Sequence, residues 1–226
     1  MQSTLIRMKC YPNDQLTLPI HGIIFDMDNT LYTNREYADH QERVLIHRLG
    51  QELGWDSDQA EKRVEAYRSD YAQIHSHKPS LGNTFLHFGI SIARSVEWRN
   101  TYITPQKYLK KDLKLVAAFQ QFSPSISKLI LTNNPTDLAK RTLELLGIMN
   151  YIHGIIGLDS TGVSKPDTKG FELALVQQGA NPREVVSVGD RYGIDIAPAL
   201  SLGMQGILVN SVQDIYQLPD FLDTIG

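Results

Sequence analysis

Four times in this chain a short, mostly aliphatic run stops on a polar or charged group, and helical patterning resumes behind it. Ile23-Ile24-Phe25 runs into Asp26, and Lys128-Leu129-Ile130-Leu131 into Thr132. Ile155-Ile156-Gly157 leads to the loop Ser164-Lys165-Pro166-Asp167, and Glu184-Val185-Val186-Ser187-Val188 leads to Gly189-Asp190. Runs this short, bounded by glycine and turn residues, read as buried strands, and a last one follows at Gly206 to Val209. The intervals carry helix periodicity: Leu113 to Phe119, Leu138 to Leu146 before Gly147, and Phe171 to Leu175 before Gly179. Strands alternating with helices make crossover connections, and these give a parallel sheet covered on both faces. The expected fold class is therefore α/β, with a Rossmann-like sheet. In such sheets ligands gather outside the carboxyl ends of the strands. Asp26, Asp28, Thr132, Lys165, Asp190 and Asp195 all fall at such ends or just beyond them.

The first of these ends is the most demanding. In extended backbone, residues i and i+2 project to the same side, so Asp26 and Asp28 crowd together at the strand tip. Two unpaired anions there repel, and either a divalent cation or a shared proton would offset that. Asp, Asn and Thr also favour turns, so a plain Asx-type turn explains the local composition equally well. The other strand ends decide for a site, because chance would have to place all of them together.

The interval behind this strand is of a different kind. Val44, Leu45, Leu49 and Leu53 recur at helical spacing before Gly54, and Asp56-Ser57-Asp58 caps a second helix through Val64, Tyr67 and Tyr71. Phe85 to Phe88 suggests a third helix and Val96 to Tyr102 a fourth. No strand signal interrupts residues 33–105, which is far longer than an ordinary strand-to-helix connection. The expected organisation is an α/β core of residues 1–32 plus 106–226, with residues 33–105 inserted as a helical cap. Within the insert, His75 to Asn83 is the least helical stretch, and His77 and Lys78 are candidates for substrate selection. Leu5, Ile6 and Met8 with Leu16, Thr17 and Leu18 suggest a small hairpin flanking the first core strand.

Composition bounds the function. At 226 residues, 42% hydrophobic and 21% charged, the chain can bury a real core and is not a disordered segment. A net charge of −3 with no basic tail provides no footprint for nucleic acid. No apolar run reaches membrane-spanning length, and Met1 to Cys10 lacks the apolar core of a secretory signal. The single Cys10 fits a reducing compartment, so a cytoplasmic protein, monomer or homodimer, is expected.

In order and in context, the Asp26-Met27-Asp28-Asn29-Thr30 run, Thr132, Lys165 in Ser-Lys-Pro-Asp, and Gly189-Asp190 with Asp195 resemble the four motifs of the haloacid dehalogenase-like hydrolase superfamily. The insert at 33–105 falls where that family places its mobile cap. The Asp-Asn-Thr-Leu-Tyr wording is most similar to the branch of pyrimidine 5′-nucleotidase-like phosphatases, although Gly189-Asp190-Arg191-Tyr192-Gly193 lacks that branch's usual double Asp. The resemblance implies Asp26 as a nucleophile forming an aspartyl-phosphate, and Asp28 as the acid that protonates the leaving oxygen and then activates water. It implies Thr132, Asn133 and Lys165 as phosphate-binding residues. Mg²⁺ would be held by Asp26, Asp28 through its main chain, and Asp190, with Asp195 directly behind them or acting through water. The implied activity is Mg²⁺-dependent hydrolysis of a small phosphorylated metabolite, such as a nucleotide or sugar phosphate. Haloalkanoate dehalogenation does not call for an acid two residues past the nucleophile, so Asp28 argues against it. A phosphomutase on the same core and a non-catalytic binding protein are the alternatives.

Overall fold

The computed structural model of the protein describes residues 8–225. The chain runs β1 (Lys9–Tyr11), β2 (Gly22–Phe25), α1 (Arg35–Leu53), α2 (Ser57–His75), α3 (Leu81–His87), α4 (Ile92–Tyr102), α5 (Leu113–Gln121), β3 (Ser127–Leu131) and α6 (Thr136–Leu146). It continues through β4 (Gly154–Ile156), α7 (Leu158–Thr161), α8 (Lys169–Gln178), β5 (Val185–Gly189), α9 (Ala197–Ser201), β6 (Gln205–Leu208) and α10 (Val212–Ile225). The strands form one six-stranded sheet in the order β1-β6-β5-β2-β3-β4, parallel except for β1. The fold is the α/β class expected.

Alternation along β2 divides the core into two layers. Ile23 and Phe25 join the cluster that includes Phe119 of α5, Leu138 and Leu143 of α6, and Ile215 and Leu218 of α10. Ile24 points to the opposite face and packs with Phe171 and Ala174 of α8 and Ala199 of α9. Every residue of β2 and β5 is buried, as strands covered on both faces must be. Register then fixes the site. Phe25 pairs with Ile130 on one side and Val188 on the other, so Asp26, Leu131-Thr132 and Gly189-Asp190 emerge level with one another. Asp26 N–H extends the ladder to Val188 C=O at 2.8 Å, and Thr132 N–H bonds Ile156 C=O at 3.1 Å.

Residues 33–105 are helical throughout their regular structure. Gly54 takes the left-handed conformation (φ 71°) that ends α1, and Asp56 with Gln59 forms a reciprocal capping box on α2. Tyr37, Leu45, Leu49, Phe85 and Trp98 are buried between these helices and continue the apolar cluster on one sheet face. No helix among the described residues is long and apolar enough to cross a membrane.

The hairpin expected within residues 1–20 does not form among the described residues. Leu5 and Ile6 lie outside the described residues, and Leu16 to Leu18 is irregular. Residues 9–11 instead pair antiparallel with β6, at the far edge of the sheet from the position expected. The physical reason is the open edge of β6, whose backbone groups need partners that a distant local hairpin would not supply. Gln205 secures the return segment by accepting Thr17 N–H and donating to Thr17 C=O at 2.9 Å.

Candidate active site

Lys165 is the centre of charge at the strand ends. Its Nζ donates to Asp26 Oδ1 at 2.7 Å, Asp195 Oδ1 at 2.6 Å and Leu131 C=O at 2.9 Å, and all three residues' side chains are buried. An ammonium has three hydrogens, so these three bonds use them all. Burial opposes its charge, but Asp195 and Asp26 outweigh that, and its pKa is raised. Asn133 positions the lysine from behind: its Oδ1 accepts Lys165 N–H at 2.7 Å, and its Nδ2 donates to Lys165 C=O at 3.3 Å. Asn133 is therefore spent on the loop's backbone.

The acidic group opposite is made of Asp26, Asp190 and Asp195, whose oxygens lie within 4.8 Å of one another. Burial pushes Asp26 up to about 7, with Lys165 pulling the other way and Asp195 adding to the rise. Asp190 is raised to about 6, again chiefly by burial, with Arg191 opposing. Asp195 is held on both sides, Oδ1 by Lys165 and Oδ2 by Arg191 N–H at 3.1 Å. A wide turn places it there: Ala197 N–H reaches back to Tyr192 C=O, and Ser187 Oγ donates to Asp195 C=O at 2.7 Å. Gly189 permits the close approach, since a Cβ at that position would sit 2.4 Å from Asp195 Cβ.

Asp190 Oδ1 is buried with no hydrogen-bond partner among the described residues, and Arg191 Nε, at 3.7 Å, is within ion-pair range only. An orphaned carboxylate oxygen on a residue grouped with Asp26, whose own Oδ2 has a long 3.4 Å contact to Thr30 Oγ1, is what a hard divalent cation would satisfy. The acidic cluster could therefore bind a divalent metal.

Asp28 is set apart from this cluster. Tyr32 Oη and Gln41 Nε2 (3.0 Å) donate to its Oδ1, and Asn134 Nδ2 donates to its Oδ2 at 2.8 Å. The turn that follows it runs through Asn29 at φ 57°, a conformation Asn tolerates well. Its side chain is not in the acidic cluster, so a part for Asp28 in holding a metal falls to its main chain. Thr132 Oγ1 accepts Asn134 N–H at 3.1 Å, which leaves its own hydrogen for another acceptor.

A cavity of about 280 Å³ opens at Asp28 and Asp190, while Asp26, Thr132, Lys165 and Asp195 are not among the residues that line it. The strand ends line it with Asp28, Asn133, Asn134, Asp190 and Arg191, and the helices add Gln41, Glu42, Arg68, Ser80 and Arg99. His77 and Lys78 do not line it. Lys78 Nζ pairs with Glu65 at 2.8 Å, and the His77 ring rests against Gly193. The polar loop that carries them leans on other elements because α3 starts at Leu81, capped by Ser80, and turns Ser80 and Leu81 inward instead.

Sequence reasoning missed Asn134, Gln41, Arg191 and Arg99. Two left a visible signal. Gln41 stands on the stripe Tyr37, Gln41, Leu45, Leu49, where an amide on an apolar face calls for a buried partner. Asn134 lies two residues past Thr132 and just before Pro135, in a backbone biased to extension, so both side chains face one way.

Known proteins resemble this chain in sequence and in fold. Among curated proteins, the ribulose-1,5-bisphosphate 5-phosphatase of Halopiger xanaduensis is 26% identical over 85% of this chain and 86% of its own. The glyceraldehyde 3-phosphate phosphatase of Methanothermobacter thermautotrophicus is 28% identical over 85% of this chain and 86% of its own. The pyrimidine 5′-nucleotidase YjjG of Escherichia coli is 32% identical over only 36% of this chain and 37% of its own. Among solved structures, a HAD phosphatase from Thermococcus onnurineus superposes with a TM-score of 0.54 at 18% identity, covering 90% of this chain and 98% of that one. A 2-haloacid dehalogenase from Pseudomonas syringae gives 0.58 at 17% identity, over 92% and 100%. The profile of the haloacid dehalogenase-like hydrolases matches residues 20–203, from just before β2 to the loop before β6, and the chain belongs to that family.

Proposed function

We propose that the protein is a Mg²⁺-dependent phosphomonoesterase acting on a small phosphorylated metabolite through an aspartyl-phosphate on Asp26. The observation that carries this reading is the division of labour between two carboxylates one residue apart. Asp26 is buried against Lys165, while Asp28 is held facing the cavity by Tyr32, Gln41 and Asn134. With Oδ1 engaged by Lys165, Asp26 attacks phosphorus through Oδ2. Asp28 gives a proton to the leaving oxygen, and later takes one from the water that breaks the acyl phosphate. Lys165 balances the nucleophile's charge, and to touch the phosphoryl group it exchanges one of its three present bonds. Thr132 offers its free hydroxyl hydrogen to a phosphoryl oxygen. Asp26 and Asp190, with Asp195 beside them, would hold Mg²⁺, which would supply positive charge against the phosphoryl oxygens.

Residues 33–105 serve as a cap over the core of residues 1–32 and 106–226, because the cavity takes its walls from both. Closure there excludes water and adds contacts to the part of the substrate that does not react. The phosphatase names of the relatives support this chemistry, and the single buried Cys10 fits a cytoplasmic setting. The test is turnover of p-nitrophenyl phosphate with Mg²⁺ by the wild type and by Asp26→Asn. The variant should fold and lose about 10⁴-fold or more in kcat, the scale on which removing a nucleophile acts. Near-normal turnover by Asp26→Asn overturns the assignment.

A further inference from the structure

Helix α4 carries a buried guanidinium that no carboxylate among the described residues answers. Arg99 is 4% exposed, and its only hydrogen bonds among those residues run from Nη1 to the hydroxyl and carbonyl of Ser95, one turn back. Its Cζ lies 5.9 Å from the Phe85 ring centre, so an apolar ring covers one side. Arginine is almost never buried unpaired, because its charge loses water and gains nothing in return. Burial lowers the Arg99 pKa to about 10, and Asp28 pulls the other way. Yet Asp28 makes no bond to it, its oxygens accepting instead from Tyr32, Gln41 and Asn134.

The open side of Arg99 is the 280 Å³ cavity. On the same helical wall, Arg68 of α2 pairs with Glu42 of α1, and its Nε is buried without a partner among the described residues. The charged side chains on this wall are therefore two guanidiniums and one carboxylate, and that carboxylate is already paired. Leu45 and Leu81 supply aliphatic surface between.

We infer that this wall receives a second anionic group of the substrate, so that the preferred substrate is a short phosphomonoester ending in phosphate or carboxylate, gripped by Arg99 with Arg68 beside it. The inference rests on the phosphatase reading and narrows it to a substrate class. Guanidinium suits this role because it is planar, permanently charged and matches either anion with two parallel bonds. The cavity volume lies at the lower limit of small-molecule sites, which favours a chain of a few carbons between the two anions.

Three-carbon esters test this directly: glycerol 3-phosphate with a neutral end, 3-phosphoglycerate with a carboxylate, and propane-1,3-diol bisphosphate with a second phosphate. The wild type should turn over one of the anionic-ended esters with a kcat/KM at least about 10-fold above glycerol 3-phosphate, expressed mainly in KM, as one charge-assisted contact predicts. Which of the two is preferred identifies the anion. Arg99→Met, similar in length and uncharged, should collapse that ratio toward one, while Arg99→Lys should keep part of it. A purely structural Arg99 would depress all three esters together and leave the ratio intact, and that result overturns the inference. Equal kcat/KM for the three esters with wild-type protein overturns it as well, without any variant having to fold. A wild type inert toward these esters and toward p-nitrophenyl phosphate removes the phosphatase reading, and this inference falls with it.

Discussion

Replacing Lys165 by methionine keeps most of the side-chain volume and removes only the charge, so the outcome reads the electrostatics of the site. Lys165 is 3% exposed, as is the Asp26 side chain, while Asp195 is 1% exposed. Without the lysine, two buried carboxylates face each other with Arg191 as the nearest cation, its Nε 3.9 Å from Asp195 Oδ2. Breaking a buried pair by removing one partner costs about 3–5 kcal/mol, because the charge left behind is neither solvated nor paired. For a chain of this size 1 kcal/mol moves Tm by about 2–4 °C, so Lys165→Met should melt about 6–20 °C below the wild type in metal-free buffer. Adding Asp195→Asn to it removes one of the stranded charges and should recover part of the loss, which makes the pair strongly non-additive. Thermal unfolding followed by circular dichroism measures both. A single variant within about 2 °C of wild type, or a double variant at the simple sum of the two losses, would show that water reaches these carboxylates and that the charge argument fails.

Asp28→Asn should slow alkyl phosphates more than p-nitrophenyl phosphate, since an activated leaving group needs less protonation; equal losses on both refute the general-acid role. Gly189→Ala places a methyl 2.4 Å from Asp195 Cβ, so it should cost about 1–3 kcal/mol in a denaturant titration and lower turnover by displacing Asp195 from Lys165. Mg²⁺ should raise the wild-type Tm by mass action, with about 2.7 kcal/mol expected at 100 times its Kd. Asp190→Asn should abolish most of that rise, and a Tm indifferent to Mg²⁺ in the wild type argues against a metal at this cluster.

The sheet was legible because each of its central strands is a continuous apolar run that ends on a chemically distinct residue, and parallel sheets bury both faces. The same logic singled out Asp26 and Asp190, at strand ends that the register brings level, and Lys165 and Asp195, which the loops beyond the strands bring to them. It failed at both ends of the chain. β1 is three residues long and is placed by the exposed edge of β6, a long-range demand that local pattern does not record. α10 contains Pro219, a residue that reads as a helix breaker, and it packs on α5 through Ile215 and Leu218 and through Tyr216 donating to Asp112. In the helical insert, counting polar donors pointed to His77 and Lys78, but their loop faces Glu65 and Gly193. The insert's cations that reach the cavity, Arg68 and Arg99, sit inside helices, where sequence reading treats arginine as a solvated surface residue by default.

That default points to how the site divides its work. Each group at the strand ends has its partner supplied by a different crossover: Lys165 by the loop after α7, Asn134 by the turn after β3, Asp195 by the wide turn after β5. The groups that hold Asp28 come instead from both sides, Asn134 from the sheet and Gln41 from α1. Asp26 is therefore held by the core alone, while Asp28 is held by Tyr32 and Asn134 of the core and additionally by Gln41 of α1. Two carboxylates so close together need different surroundings if one is to attack and the other is to carry protons. Here the difference is built from which part of the chain closes around each. A movement of the insert away from the sheet would take Gln41 from Asp28 and leave the Asp26–Lys165–Asp195 group intact. If the insert closes over the core as proposed, the movement that brings Gln41 to Asp28 also brings Arg99 over the cavity, and this would couple recognition of the substrate's far end to the chemistry at the near one.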